Sequence, residues 1–112
     1  MAKIIITKNL EEEVNKKFKG ESIEIFNLMN SLKEFPSKSK PVGQAAGMVI
    51  KELKYEGYRF YFIADGYKIK MLKKEDLEEL LIKFVRMSDK KSQQKVIDEI
   101  KVILRSLGQE GF

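Results

Sequence analysis

Three arginines stand among 22 basic residues in this 112-residue chain. One of them, Arg59, falls inside the aromatic run Tyr58 to Ala64 (YRFYFIA). Arginine presents a planar fork that meets two phosphate oxygens at once, whereas lysine presents one mobile point charge. An arginine chosen where the chain otherwise prefers lysine is suited to an oxyanion. Tyr61 lies two residues on, hence on the same side of an extended strand, and offers a surface on which a nucleobase can stack. A lysine crowded by other cations can lose its proton near neutral pH and act as base or acid. Phosphate binding and proton transfer are therefore within reach. Other chemistry is not: with no cysteine and no histidine, disulfides, thiol nucleophiles, Cys/His zinc sites and Ser-His-Asp catalysis are excluded.

Counting places these side chains. Asp65-Gly66 is the dipeptide of a type I′ hairpin turn, with Tyr67 to Leu72 (YKIKML) as the return strand. A two-residue loop sets Ala64 opposite Tyr67, Phe62 opposite Ile69 and Phe60 opposite Met71, an apolar face. The other face pairs Ile63 with Lys68, Tyr61 with Lys70 and Arg59 with Leu72, and is basic and aromatic. Upstream, Met48 to Tyr55 (MVIKELKY) reads as a strand joined through Glu56-Gly57, with Gly57 free to take a positive φ. A two-residue loop there pairs Tyr55 with Tyr58 and Lys54 with Arg59, so that Lys54 and Glu52 join the basic face. A three-residue loop starting at Tyr55 sets Lys51 beside Arg59 instead. The first register is preferred because it buries Leu53 and Val49, although Lys51 must then snorkel at the core rim. The run Arg86 to Lys95 (RMSDKKSQQK) brings Arg86, Lys90 and Lys91. Against these readings stands a plain one, in which the lysines form the solvated face of a half-exposed sheet and the run is a solvated helix start.

The remaining elements must hold this face in place. Lys3 to Thr7 (KIIIT) reads as a short strand buried on both faces or nearly so. Asn9 can cap a helix to about Lys19, with Leu10, Val14 and Phe18 on one side and Glu11 to Glu13 in its first turn; Gly20 breaks it. Residues 21 to 34 form a second helix. Positions 36 to 47 (PSKSKPVGQAAG) read as a flexible loop. Residues 74 to 87 stay ambiguous: helix throughout, or a helical turn over 75 to 81 and then a strand over 83 to 87. A last helix begins at Ser88 or Ser92, carries Val96, Ile100, Ile103, Leu104 and Leu107, and stops at Gly108. The expected class is α+β, an antiparallel-rich twisted sheet with two N-terminal helices and a C-terminal helix on one face, plus a short helical insertion near 73 to 82.

With 43% hydrophobic and 35% charged residues, the chain can build a core, and its length suits a single domain spanning 1 to 112. A net charge of +5 and a pI of about 9.3 permit a polyanionic partner without demanding one. No apolar run approaches a membrane span, and the N-terminus lacks a leader pattern. A soluble, cytoplasmic protein without membrane attachment is expected.

The segments KELKYEGYRFYFIADGYKIKML and KKSQQKVIDEIK resemble the RelE/ParE toxin superfamily of toxin–antitoxin systems, nearest the HigB-type phage-related toxins. The matching features are Lys54, Tyr58-Arg59, the aromatic strand Phe60 to Ile63, Asp65-Gly66, Lys90-Lys91-Ser92-Gln93 and Glu99-Ile100. The order of a strand, two helices, further strands and a C-terminal helix fits as well. The chain departs from the pattern in its insertion near 73 to 82, in having no histidine where several members place one in the active site, and in lacking a clear tyrosine at its end.

The resemblance implies a RelE-like fold and a ribosome-dependent mRNA endoribonuclease that works without metal or cofactor. Cleavage proceeds by attack of a ribose 2′-OH on the adjacent phosphate, which calls for deprotonation of that hydroxyl, stabilisation of a charged phosphorane and protonation of the leaving 5′-oxygen. Arg59 is the expected phosphate clamp. Lys54, Lys90 and Lys91 are the expected charge stabilisers; Tyr61, Lys68, Lys70 and Arg86 the expected RNA contacts. The implied partners are mRNA, the ribosome and a cognate antitoxin whose acidic amphipathic segment covers the basic face or the groove beside it. Three alternatives remain: a ParE-like topoisomerase inhibitor, a non-catalytic nucleic-acid-binding module, and a small structural domain whose charge keeps it soluble.

Overall fold

The computed structural model describes residues 1 to 70 and 79 to 112. Its elements run β1 (Lys3–Ile6), α1 (Lys8–Phe18), α2 (Ser22–Asn30), β2 (Lys40–Ala45), β3 (Met48–Tyr55), β4 (Tyr58–Asp65), α3 (Gly66–Lys70), β5 (Leu81–Asp89) and α4 (Gln93–Leu107). The class is α+β. Five strands form one mixed sheet in the order β1-β5-β4-β3-β2. β1 lies parallel to β5, and the other three pairings are antiparallel.

The sheet is covered on both sides. Under α1 and α2, Phe60, Phe62 and Ala64 of β4 pack with Leu53, Phe84, Leu10, Val14, Ile25 and Met29. On the opposite face Tyr61 and Ile63 pack with Ile50, Val85 and the α4 residues Ile97, Ile100 and Leu104. This corrects the expectation that all three helices share one face. The cause lies in β4 itself: as a central strand with apolar side chains on both faces, it needs a helix layer on each.

The β3–β4 pairing has the preferred register, with Tyr55 opposite Tyr58 and Lys54 opposite Arg59. Phe60, Phe62 and Leu53 are buried, and Lys51 is half-buried on the α1/α2 side. At the connecting turn the positive φ belongs to Glu56 (52°), not to Gly57. The other tight hairpin joins β2 to β3 through Ala46 (φ 52°) and Gly47 (φ 78°), a type I′ arrangement.

The hairpin expected at Asp65-Gly66 does not form. Asp65 Oδ1 accepts the Lys68 backbone N–H at 2.9 Å, which caps α3, and Gly66 donates its N–H to Gly47 O at 2.9 Å. A Cβ on Gly66 would lie 3.0 Å from that carbonyl oxygen, so glycine suits this close approach. Lys68 and Lys70 therefore stand on a short helix, and β4 takes β5 as its second neighbour. β5 pairs through a bulge: Tyr61 faces Arg86, Phe62 faces Phe84, and Val85 is the extra residue.

Two further readings change. The 36 to 47 loop contains β2, an edge strand that tolerates Pro41 because one side of it needs no ladder donor. β1 is likewise an edge strand, half-buried rather than buried on both faces. The helical insertion near 73 to 82, the helical turn over 75 to 81 and the burial of Met71 fall on or across residues 71 to 78, which lie outside the described residues. Leu81–Asp89 is strand.

Candidate functional site

Residues directly opposite one another in antiparallel strands point to the same face, and the three antiparallel registers therefore build a grid beneath and beside α4. One row is Lys40, Glu52, Tyr61 and Arg86, contributed by β2, β3, β4 and β5. The next row, nearer the start of α4, is Lys54, Arg59 and Ser88. Four cations and one carboxylate share this block.

Tyr61 anchors the grid and is wholly buried against α4. Its hydroxyl and Ser88 Oγ share a 2.8 Å hydrogen bond. Burial pushes its pKa up, the Ser88 hydrogen bond acts against that shift, and the nearby Glu52 charge adds to it. The stacking role expected for Tyr61 fails, because α4 occupies the space a nucleobase would need. The ring instead forms the floor from which the charged row projects.

Arg59 is half-buried. Its Nη1 donates to Gly57 O at 3.3 Å, while its buried Nε has no hydrogen-bond partner among the described residues. Opposite it, the Lys54 side chain is 56% exposed, with Nζ 3.9 Å from Glu52 Oε1. Glu52 is only 3% exposed, and its Oε2 has no hydrogen-bond partner among the described residues. A buried carboxylate oxygen and a buried guanidinium nitrogen thus retain free capacity within one cluster, a costly arrangement in a low-dielectric setting.

The turn after β5 adds Lys90 and Lys91, both exposed, just beyond Ser88. Asp89 pins this turn: its Oδ1 accepts the Ser92 backbone N–H at 2.8 Å, and that bond is the main reason its carboxyl titrates below the usual range. Beside the turn, β1 stops pairing at Phe84. A cleft of about 300 Å³ opens there between α1 (Glu13, Lys17) and α4 (Lys95, Glu99), and Ser88 is shared between this cleft and the grid.

Not every expected residue joins the cluster. Arg86 belongs to the grid by register, but its head is engaged elsewhere: Nη1 donates to Val85 O at 2.8 Å, and the guanidinium lies 5.1 Å from the centre of the Phe112 ring. Lys68 and Lys70 follow β4's other end, about 20 Å from Arg59 at the usual strand rise. Arg59, Lys54, Lys90 and Lys91 therefore gather at one end of the sheet, and Lys68 and Lys70 do not. Ser88 is the member that sequence reasoning missed. The parity of MVIKELKY already set Glu52 on the basic face, and only its burial was hidden. Among the described residues, no three His, Cys, Asp or Glu side chains gather as a metal site requires. No family model, curated protein or solved structure matches this chain.

Proposed function

We propose that this chain is the toxin of a RelE/ParE-type toxin–antitoxin pair, a cytoplasmic ribosome-dependent endoribonuclease that cleaves mRNA through 2′-OH attack on phosphate. The observation that carries this reading is Arg59: a half-buried guanidinium with an unengaged Nε, standing directly opposite Lys54 beside the Lys90-Lys91 turn. The order of a strand, two helices, further strands and a C-terminal helix agrees with what the sequence resemblance implies, and so supports it further.

In this reading Arg59 binds two oxygens of the scissile phosphate. Lys54, Lys90 and Lys91 offset the charge that builds on the phosphorane. A lysine among these cations exchanges protons with the 2′-hydroxyl or the leaving 5′-oxygen. Tyr61 contributes rigidity, since its buried ring fixes the strand that carries Arg59. The antitoxin covers the same charged end with an acidic amphipathic segment.

The test is induced expression of wild type and Arg59→Ala in cells, paired with mRNA cleavage in a ribosome-containing reaction and a thermal melt as folding control. Wild type is expected to arrest growth and cut mRNA. Arg59→Ala is expected to do neither while melting within a few degrees of wild type. Single Lys54→Ala and Lys91→Ala variants lose less, because neighbouring cations partly replace them. Equal arrest by Arg59→Ala at matched expression would overturn the site. Growth arrest without RNA cleavage would point to a topoisomerase inhibitor on the same fold, and salt-dependent RNA binding without arrest to a non-catalytic binding module.

A further inference from the structure

Glu52 is the one acid in a grid that otherwise holds Lys40, Lys54, Arg59 and Arg86. Lys54 and Arg59 face each other directly, and like charges so placed repel. Glu52 lies on the same face, opposite Tyr61 and one step from both cations. Yet its contacts are loose: Oε1 is 3.9 Å from Lys54 Nζ, and among the described residues neither Oε2 nor Arg59 Nε has a hydrogen-bond partner. A carboxylate retained only for stability would be expected to engage these free donors closely, because an unmet buried charge is expensive. With its side chain 2% exposed, Glu52 also cannot reach a bound RNA chain.

We infer that Glu52 is the resident counter-charge of the clamp. It partly offsets the charge of Lys54 and Arg59 while the site is empty, and yields them to a backbone phosphate of single-stranded RNA when one arrives. Glu52 is thus a positioning residue that acts through the two cations and competes with the substrate for them. This inference rests on the reading of that face as an RNA-phosphate site. It has a consequence opposite to that of a structural acid: neutralising Glu52 strengthens binding. The phosphate loses a competitor, and the cations, no longer partly neutralised from below, displace more counterions on binding.

The experiment is a fluorescence anisotropy titration of a labelled 2′-O-methyl single-stranded RNA, which cannot be cleaved because its 2′-oxygens carry no proton. Wild type and Glu52→Gln are compared across a salt series. Glu52→Gln is expected to bind about three- to tenfold more tightly at low salt, the size of one unit charge acting at this range through a partly screened medium. Its plot of log affinity against log salt is expected to be steeper, and the difference to fade as salt rises. In a Lys54→Gln background the gain is expected to shrink. Should Glu52→Gln fail to fold, Glu52→Asp keeps the charge but withdraws it from Lys54, and a smaller gain is expected. Wild-type binding with Glu52→Gln, or failing that Glu52→Asp, equal or weaker would overturn the role of Glu52 alone. Absence of salt-dependent binding by wild type would overturn the RNA reading, and this inference with it.

Discussion

On the α1/α2 side of the sheet, β4 presents Phe60, Phe62 and Ala64 to a layer of hydrocarbon. Phe18 meets Phe60, Tyr55 and Tyr58 there at ring-centre distances of 5.1 to 6.2 Å. The other side of the same strand presents Arg59, Tyr61 and Ile63, and beneath α4 these share their surroundings with Glu52 and Ser88. One face is packed for stability alone. The other is packed in its middle and charged at one end, where α4 begins and leaves a row of the sheet uncovered. The buried polar groups of β3 and β5, Glu52 and Ser88, lie on the α4 side, and the hydrocarbon side steadies the strand from behind. A charged cluster can therefore be altered at small cost to the fold.

The largest effect should come from damaging the hydrocarbon face. Phe60→Ala removes a fully buried ring and is expected to cost about 3–5 kcal/mol, read as a fall in the urea midpoint. Tyr61→Phe tests the polar layer. It keeps the ring but removes the hydroxyl that meets Ser88 at 2.8 Å, and leaves the buried Ser88 hydroxyl without that partner, for an expected loss of about 1–2 kcal/mol. A loss as large as that of Phe60→Ala would erase the distinction between the faces. The smallest effect concerns Lys51, the cation on the hydrocarbon side, half-buried opposite Phe62. Burial lowers its pKa. Between the folded and unfolded values the unfolded chain holds more of this proton, so wild-type stability from this group rises as pH climbs through that alkaline window. Lys51→Met is expected to stabilise by less than about 1 kcal/mol at neutral pH, with an advantage that shrinks in alkaline buffer. Denaturation at two pH values measures it, and an advantage constant with pH would mean that desolvation is not its source.

The β3–β4 register was legible because a two-residue turn and strict alternation leave few pairings that bury Leu53 and Phe60 together. Arg59 and Lys54 followed by counting. β5 was harder: LIKFVRM is apolar on both sides and carries a bulge at Val85, so neither the period of a helix nor that of a half-exposed strand stands out. Asp65-Gly66 misled because one dipeptide serves two structures. The choice between a hairpin turn and a helix cap depends on Gly66 donating to Gly47, a contact from a different hairpin that local sequence does not contain. The burial of Tyr61 and Glu52 depends on which face α4 crosses. An amphipathic stripe states that a helix packs, but not on which side of the sheet, and two candidate stacking and charge roles turned on that choice.

The pairing of β1 with β5 has a consequence for how the chain comes into being. β1 is locked, parallel, against β5, far along the sequence, with Ile4 beside Ile82 and Ile6 beside Phe84. Residues through Phe84 must leave the ribosome before Ile4 to Ile6 can find their place. Until then α1 and α2 have only an incomplete sheet to rest on, and β4 waits with one edge unpaired. Closure over so long a separation is slow, and it exposes sticky edges in the interval. Chains interrupted before Leu81 lack the strand that joins β1 to β4, and such fragments should be cleared or should aggregate rather than persist in folded form.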